Sequence, residues 1–211
     1  MEKIPEAMQR NGTGRIVEEL DHARAQEYAL LATLLSRSPD APMITGLTLL
    51  RGDASPLGMA HAALGEAAGR TDEEAIRREY FKLFTGIGEG TLLPYSSHYL
   101  AGTLYGPPLA RLRETLQDLS IEPAAGRTEP EDHAAIVCEI MAGLIRGEIP
   151  APVDADRQFF EMHLKPWIRR FFVDLEKAEP AAFYACVGSL GRTFIDIETE
   201  AFSLLTGMQR G

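Results

Sequence analysis

The sequence has 211 residues, of which 45% are hydrophobic and 25% are charged. These are the proportions of an ordinary globular protein, and a chain of this length buries enough surface to fold as one domain without a metal or a disulfide. Its 21 basic and 31 acidic residues give a net charge of −10, which argues against nonspecific binding to nucleic acid or to an anionic membrane face, because both need clustered Lys and Arg.

The first fifteen residues, MEKIPEAMQRNGTGR, are mostly polar. We predict a flexible tail over residues 1–15, followed by a single domain over residues 16–211. The tail lacks the apolar segment of a signal peptide, and the longest mostly apolar stretch, 28–35, is far too short to cross a bilayer. Cys138 and Cys186 form no CxxC pair and lie in apolar sequence, as free thiols do in a reducing compartment. A cytoplasmic protein without membrane insertion is therefore expected.

The first half of the chain predicts helices in order. Apolar residues at steps of three and four indicate a first helix over Ile16–Arg37, which Ser38-Pro39-Asp40 ends. Pro42 and Pro56 are each placed to open a short helix, since proline is favoured at the first helical position. The sequence Thr71–Glu74 is typical of a capping box, in which the Thr71 hydroxyl would cap the next helix.

The second half continues in the same way. Pro107 opens one predicted helix, and Pro130 is placed at the first position of another. An aromatic-rich helical segment follows over 159–175, and apolar residues from Phe183 to Leu204 give the clearest helical stripe in the chain. Alternation of period two, hairpin turns and repeats of fixed length are all missing from the sequence. The predicted class is all-α, a multi-helix bundle.

Searches for catalytic and metal motifs find little. The glycine loop 86–90 follows a predicted helix rather than a strand and lacks GK[ST], so a connector is favoured over a phosphate cradle. The five histidines lack zinc-ligand partners, and no serine lies in a GxSxG elbow. We predict no catalytic residue, no metal ligand and no cofactor.

Two clusters are candidates for binding. In Glu129–His133, a proline with carboxylates suits the start of a helix, whose dipole would favour Glu131 and Asp132. His133 shares a face with Ile136, so it is either a core histidine or a polar group at the lip of a groove. The loop 92–95 (Leu-Leu-Pro-Tyr) either packs on the core or lines a binding surface. The negative charge is compatible with a basic ligand, such as a cationic peptide, and equally with solubility alone.

Taken in order, these segments resemble the TorD/DmsD family of redox-enzyme maturation proteins. The resemblance spans residues 75–200, and its motifs are Tyr80–Phe84, Pro94–Leu100, Glu129–His133, Phe159–Trp167 and Phe183–Tyr184. Tyr80 and Tyr95 stand where some members have Trp, a departure that bears on ligand preference.

The resemblance implies an all-helical chaperone without catalytic activity. Its partners would be the twin-arginine signal peptide and the apo catalytic subunit of a molybdopterin-dependent oxidoreductase, held back from export until the cofactor is inserted. It also implies weak binding of guanine nucleotide or of the molybdopterin cofactor. The implied peptide site comprises Tyr80, Leu83, Phe84, Pro94, Tyr95, Glu129, Asp132 and His133.

Physical chemistry is compatible with that site. A rim of Glu129, Glu131 and Asp132 would bind the two arginines by charge-assisted hydrogen bonds. Apolar side chains between residues 80 and 95 would take the apolar segment that follows. Two alternatives stay open: a helical scaffold that acts on the mature enzyme, and a nucleotide hydrolase that uses the 86–90 loop and His133.

Overall fold

The computed structural model describes residues 6–85, 92–122, 129–179 and 181–208, with side chains from residue 18 to residue 204 within those ranges. Ten α-helices lie in this part of the chain, which contains no β-strand. They are α1 (Glu6–Ser36), α2 (Ala41–Leu47), α3 (Pro56–Gly69), α4 (Glu73–Tyr80), α5 (Ser96–Ala101), α6 (Pro107–Asp118), α7 (Ala134–Ile145), α8 (Ala155–Phe159), α9 (Ile168–Lys177) and α10 (Phe183–Met208). Short π-helical turns, Phe81–Thr85 and Phe160–Leu164, extend α4 and α8. The all-α prediction is confirmed.

The core is built around α7. Its sequence, AAIVCEIMAGLI, is apolar except at one position, so every side of this helix can be buried. Ten of its twelve residues are buried, and Glu139 is the one that is exposed. The long helix α1 packs along α7, whereas α10 packs against α9 and α3. None of the described helices is long and apolar enough to cross a membrane.

Close contact between α9 and α10 depends on two glycines. A Cβ at position 188 would lie 2.4 Å from the backbone nitrogen of Glu176, and one at position 191 would lie 2.3 Å from the ring of Phe172. Both distances are shorter than any real Cβ contact, so only glycine lets the two helices approach this closely. The helical stripe predicted from Phe183 onwards is thus confirmed, with two small residues within it.

Three predicted helix starts differ from the structure. Helix α1 begins at Glu6 rather than Ile16; the glycines at 12 and 14 cost about 1 kcal/mol each in a helix and weaken it without ending it. Helix α4 is capped by Asp72, not Thr71, because the Asp72 carboxylate accepts the backbone N–H of Ala75.

The flexibility of the tail over residues 1–15 and the single domain over residues 16–211 stay predictions.

The third difference concerns the helix placed at Pro130. Residues 130–132 form a turn, and α7 begins only at Ala134, with His133 as its N-cap in extended conformation. Pro130 does fit the first position of a helix, but the backbone groups of Asp132 and Ala134 bond to the distant residues Ser96 and Pro94 instead. Glu131 and Asp132 consequently precede the helix and do not lie in its first turn.

A pair of titratable groups joins α1 to α3 and makes the stability depend on pH. His61 Nε2 lies 2.9 Å from Glu27 Oε2, and the hydrogen bond to this carboxylate raises the pKa of His61 against the opposing effect of burial. A raised pKa means that the folded protein favours the protonated ring, so this stabilisation is full below about pH 6.5 and is lost as the pH rises through the folded-state pKa. We expect the free energy of unfolding of wild type to exceed that of His61→Ala by more at pH 6 than at pH 9. Urea denaturation measures both; a difference that does not change with pH would contradict the ion pair.

Candidate functional site

Two segments far apart in sequence meet in front of α7. The loop 92–97 and the turn 129–133 are joined by an antiparallel bridge between Tyr95 and His133. The N–H of Ala134 donates to Pro94 O at 2.7 Å, and the N–H of Ser96 donates to Asp132 O at 3.1 Å. The N–H of Leu92 donates to Leu83 O at 2.7 Å and so ties the loop to the π-helical turn after α4. The three segments that carry most of the implied peptide site, 80–84, 92–97 and 130–133, are therefore in contact.

Asp132 lies beneath this junction. Its side chain is only 1% exposed, and its Oδ2 accepts the N–H of Ser97 at 2.8 Å and the hydroxyl of Ser96 at 3.2 Å. The other carboxylate oxygen, Oδ1, is buried without a hydrogen-bond partner among the described residues. The placement of Asp132 on an acidic rim is therefore wrong. The carboxylate fixes the start of α5 instead, since the N–H groups of a first helical turn need acceptors.

His133 combines both interpretations that its sequence left open. It is buried, and Nδ1 accepts the N–H of Ala135 at 3.0 Å, so this nitrogen carries no proton and the ring caps α7. The ring packs against Tyr95, with 5.1 Å between ring centroids. One edge of it also lines a groove. His133 is a helix cap at the lip of that groove.

The carboxylates around the turn differ in their partners. The Tyr95 hydroxyl donates to Glu129 Oε2 at 2.5 Å; burial and then this carboxylate raise the pKa of Tyr95. Arg113 binds Glu131 through Nε and Nη2. Burial works to raise the pKa of Glu131, but the arginine outweighs it and lowers that pKa. Glu129 is exposed, whereas Glu131 is already half of an ion pair.

The aromatic candidates divide between core and surface. Leu83 is 3% exposed and belongs to the core, and Phe84 packs on Tyr184 with 5.4 Å between ring centroids. Tyr80 packs on both rings, and its hydroxyl donates to Leu35 O at 3.3 Å. Burial and the charge of Glu129 raise the pKa of Tyr80. Of these three side chains, Tyr80 is the one that lines a groove.

Two grooves run along α7 on either side of a shared wall. The first groove, about 470 Å³, lies between α1, Tyr80, His133 and α7. The second groove, about 440 Å³, lies between α6, the 129–131 turn, α7 and Ile149. Both volumes fall in the range of ordinary ligand sites, about 300–1,000 Å³. The residues that line both are Glu129, Ile136, Glu139, Gly143 and Glu148.

The shared wall, defined as Glu129, Glu139 and Glu148, gives both grooves an acidic border. All three side chains are exposed. The second groove is lined by five glutamates and one arginine, and its floor is apolar, with Leu116, Ile136 and Ile140 buried. A cation with an adjoining apolar part would be complementary to this arrangement, whereas an anion would be repelled.

Three residues of the predicted peptide site line the grooves, but two of the three residues of the shared wall were not predicted. Tyr80, Glu129 and His133 line the first groove. Pro94 is buried, and Tyr95 touches Glu129 and His133 from the side of the loop. Glu139 and Glu148 were missed, although Glu139 is the single charge within the apolar sequence of α7 and so had a signal. The 86–90 loop invoked for a nucleotide site falls outside the described residues. In the described residues, no cluster of His, Cys, Asp or Glu could hold a metal.

Comparisons with known proteins find a matching family, curated relatives and a solved structure of the same fold. The family described as nitrate reductase delta subunit matches residues 50–173. The Chaperone protein TorD of Aliivibrio fischeri is 29% identical over 148 residues, which are 65% of this chain and 69% of the relative. That of Vibrio atlanticus is 28% identical over 195 residues, 87% and 85% of the two chains. Among solved structures, a candidate redox enzyme maturation protein from Archaeoglobus fulgidus has the same fold, with a TM-score of 0.55 at 21% identity over 82% of this chain and 93% of that one.

Proposed function

The chain belongs to the nitrate reductase delta subunit family, with TorD chaperones among its relatives, and we propose that it binds the twin-arginine signal peptide of a molybdopterin-dependent oxidoreductase. It would hold the catalytic subunit back from export while the cofactor is inserted, which places it in the cytoplasm. The observation that carries the proposal is the acidic wall between the two grooves. Weak binding of guanine nucleotide or molybdopterin stays a prediction.

The chemistry of a twin-arginine peptide suits the wall. Two consecutive arginines carry planar guanidinium groups, which form paired, charge-assisted hydrogen bonds with carboxylates. Glu129, Glu139 and Glu148 line both grooves with such carboxylates. Arg146 Nη1 already lies 4.0 Å from Glu148 Oε1, so a peptide arginine would compete with it there. Because Glu129 now accepts a hydrogen bond from the neutral Tyr95 hydroxyl, an arginine would replace a weaker bond by a stronger one.

The apolar part of the signal follows the arginines directly. The apolar floor, formed by Leu116, Ile136 and Ile140, lines the same second groove as the wall. Micromolar affinity corresponds to about −8 kcal/mol, which a few well-placed anchors supply. The proposal therefore requires no new fold of the chaperone and no large interface.

The test is a titration of the full chain with a synthetic twin-arginine signal peptide and with its Lys-Lys counterpart. We expect Glu129→Gln to weaken binding of the Arg-Arg peptide by roughly three- to tenfold, because it removes one carboxylate while keeping an acceptor for Tyr95. Affinity should also fall as salt is raised. Isothermal titration calorimetry at two salt concentrations measures both effects.

Two variants serve as controls. Glu200→Gln removes the same charge from an exposed position on α10 outside both grooves, so it should leave the affinity unchanged. Tyr95→Phe releases Glu129 from its hydroxyl partner and should bind the peptide at least as tightly as wild type. Equal binding of the Arg-Arg and Lys-Lys peptides, or binding insensitive to Glu129→Gln, would count against the proposal. Capture of the catalytic subunit without its leader would favour a scaffold that acts on the mature enzyme.

A further inference from the structure

Tyr105 is the one described aromatic residue held in a left-handed backbone conformation. It lies in the turn between α5 and α6, with φ of 59°, and its side chain is 69% exposed. A non-glycine residue in this region has its Cβ too close to the backbone and costs about 1–2 kcal/mol. Neither burial of the ring nor regular structure offsets that cost within the described residues. Ser120 and Asp154 share this conformation, but among the three only Tyr105 lines one of the two grooves along α7; strain of this kind is enriched at ligand sites.

The Tyr105 ring stands at the edge of the second groove. It lines the groove together with the apolar side chains of Leu116, Ile121, Ile140 and Ile149. An exposed aromatic ring next to an apolar trough offers a ligand a flat face that the trough itself lacks, and aromatic anchors dominate binding energies. The ring would thus cover whatever apolar segment lies in the groove.

We infer that the second groove holds the apolar segment of the signal peptide and that Tyr105 clamps it there. This inference rests on the proposed function and assigns its parts: the shared wall binds the arginines, and the second groove with Tyr105 selects for the apolar residues that follow. The arrangement of wall and groove matches the peptide, because its apolar residues lie within a few residues of its two arginines. Each extended residue spans about 3.3 Å, so a peptide leaving the wall enters the groove at once.

The charge around the groove argues for this occupant. Five of the lining residues are glutamates, and the one arginine, Arg113, is paired with Glu131. A purely apolar peptide would gain nothing from such a border, and a nucleotide phosphate would be repelled by it. A segment that is apolar but follows two positive charges is complementary to both the floor and the rim.

The experiment replaces Tyr105 by glycine and measures the melting temperature, which should rise, and the peptide affinity, which should fall. Tyr105→Gly relieves the left-handed strain, so the melting temperature should rise by about 2–4 °C. The same change removes the clamp, so affinity for the full twin-arginine peptide should fall roughly five- to tenfold. A second peptide keeps the Arg-Arg pair but carries serines in place of the apolar residues. Its weaker binding should not differ between wild type and Tyr105→Gly.

Ser120→Gly is the matched control. Ser120 has φ of 56° and lines neither groove, so this variant should raise the melting temperature without changing either affinity. Tyr105→Phe keeps the ring and should bind like wild type. If wild type binds the full peptide and Tyr105→Gly binds it equally well, the inference is wrong while the proposed function stands. If wild type does not bind the full peptide, both are wrong.

Discussion

Replacing Asp132 by alanine should lower the free energy of unfolding by about 2–3 kcal/mol and weaken peptide binding with it. Helix α5 has Tyr95 at its N-cap position, and this residue makes no side-chain capping bond. The cap comes instead from Asp132, whose carboxylate accepts from the N–H of Ser97 and the hydroxyl of Ser96. Without it these groups lose their acceptor, and only backbone hydrogen bonds still join the loop 92–97 to the turn that holds His133.

The measurement combines urea denaturation with peptide titration. Asp132→Asn keeps one oxygen that can accept the Ser97 N–H, so it should cost about 1 kcal/mol and retain part of the binding. A proportional loss of stability and affinity over the two variants is the expected pattern. A fully stable Asp132→Ala protein that fails to bind peptide would show instead that the carboxylate contacts the ligand directly.

Local signals in the sequence explain most of the fold. Proline at the start of α3 and α6, and the apolar stripe of α10, fix these helices because each signal acts within one or two turns. The start of α7 was placed too early for the opposite reason. Pro130 favours a helix start locally, but backbone hydrogen bonds to the distant residues Pro94 and Ser96 hold residues 130–133 in a turn.

The site could be predicted only in part. The Glu129–His133 motif located its centre, yet the role of Asp132 depends on Ser97, which lies 35 positions away in the sequence. The shared wall was missed because its members come from a turn, from the middle of α7 and from the residues after it. No periodicity relates Glu129, Glu139 and Glu148. Only the packing of α7 with the segments before and after it brings them to one border.

A second large effect is expected far from the grooves, at a charge cluster that joins α1 to α8 and α10. Arg24 donates to Glu198 through Nε at 2.8 Å and through Nη2 at 2.9 Å. The same guanidinium reaches Asp21 and Asp156. Burial works to lower the pKa of Arg24, but the carboxylates around it raise that pKa further, so the cation is strongly favoured. Glu198 is only 2% exposed and also accepts the Tyr28 hydroxyl at 3.1 Å.

Arg24→Met should therefore lower the free energy of unfolding by about 3–5 kcal/mol, because it leaves a buried carboxylate without its cation. That is a large fraction of the total stability of a domain, about 5–15 kcal/mol. The double variant Arg24→Met/Glu198→Leu removes both charges and should recover much of the loss, since an apolar pair often replaces a buried ion pair without cost. Arg37→Met, at an exposed position directly after the end of α1, should change the free energy of unfolding by less than about 0.5 kcal/mol. Urea denaturation of the four proteins distinguishes two causes. If the double variant is as unstable as Arg24→Met, the loss comes from the contact of the Arg24 guanidinium with the Phe202 ring rather than from the unpaired carboxylate.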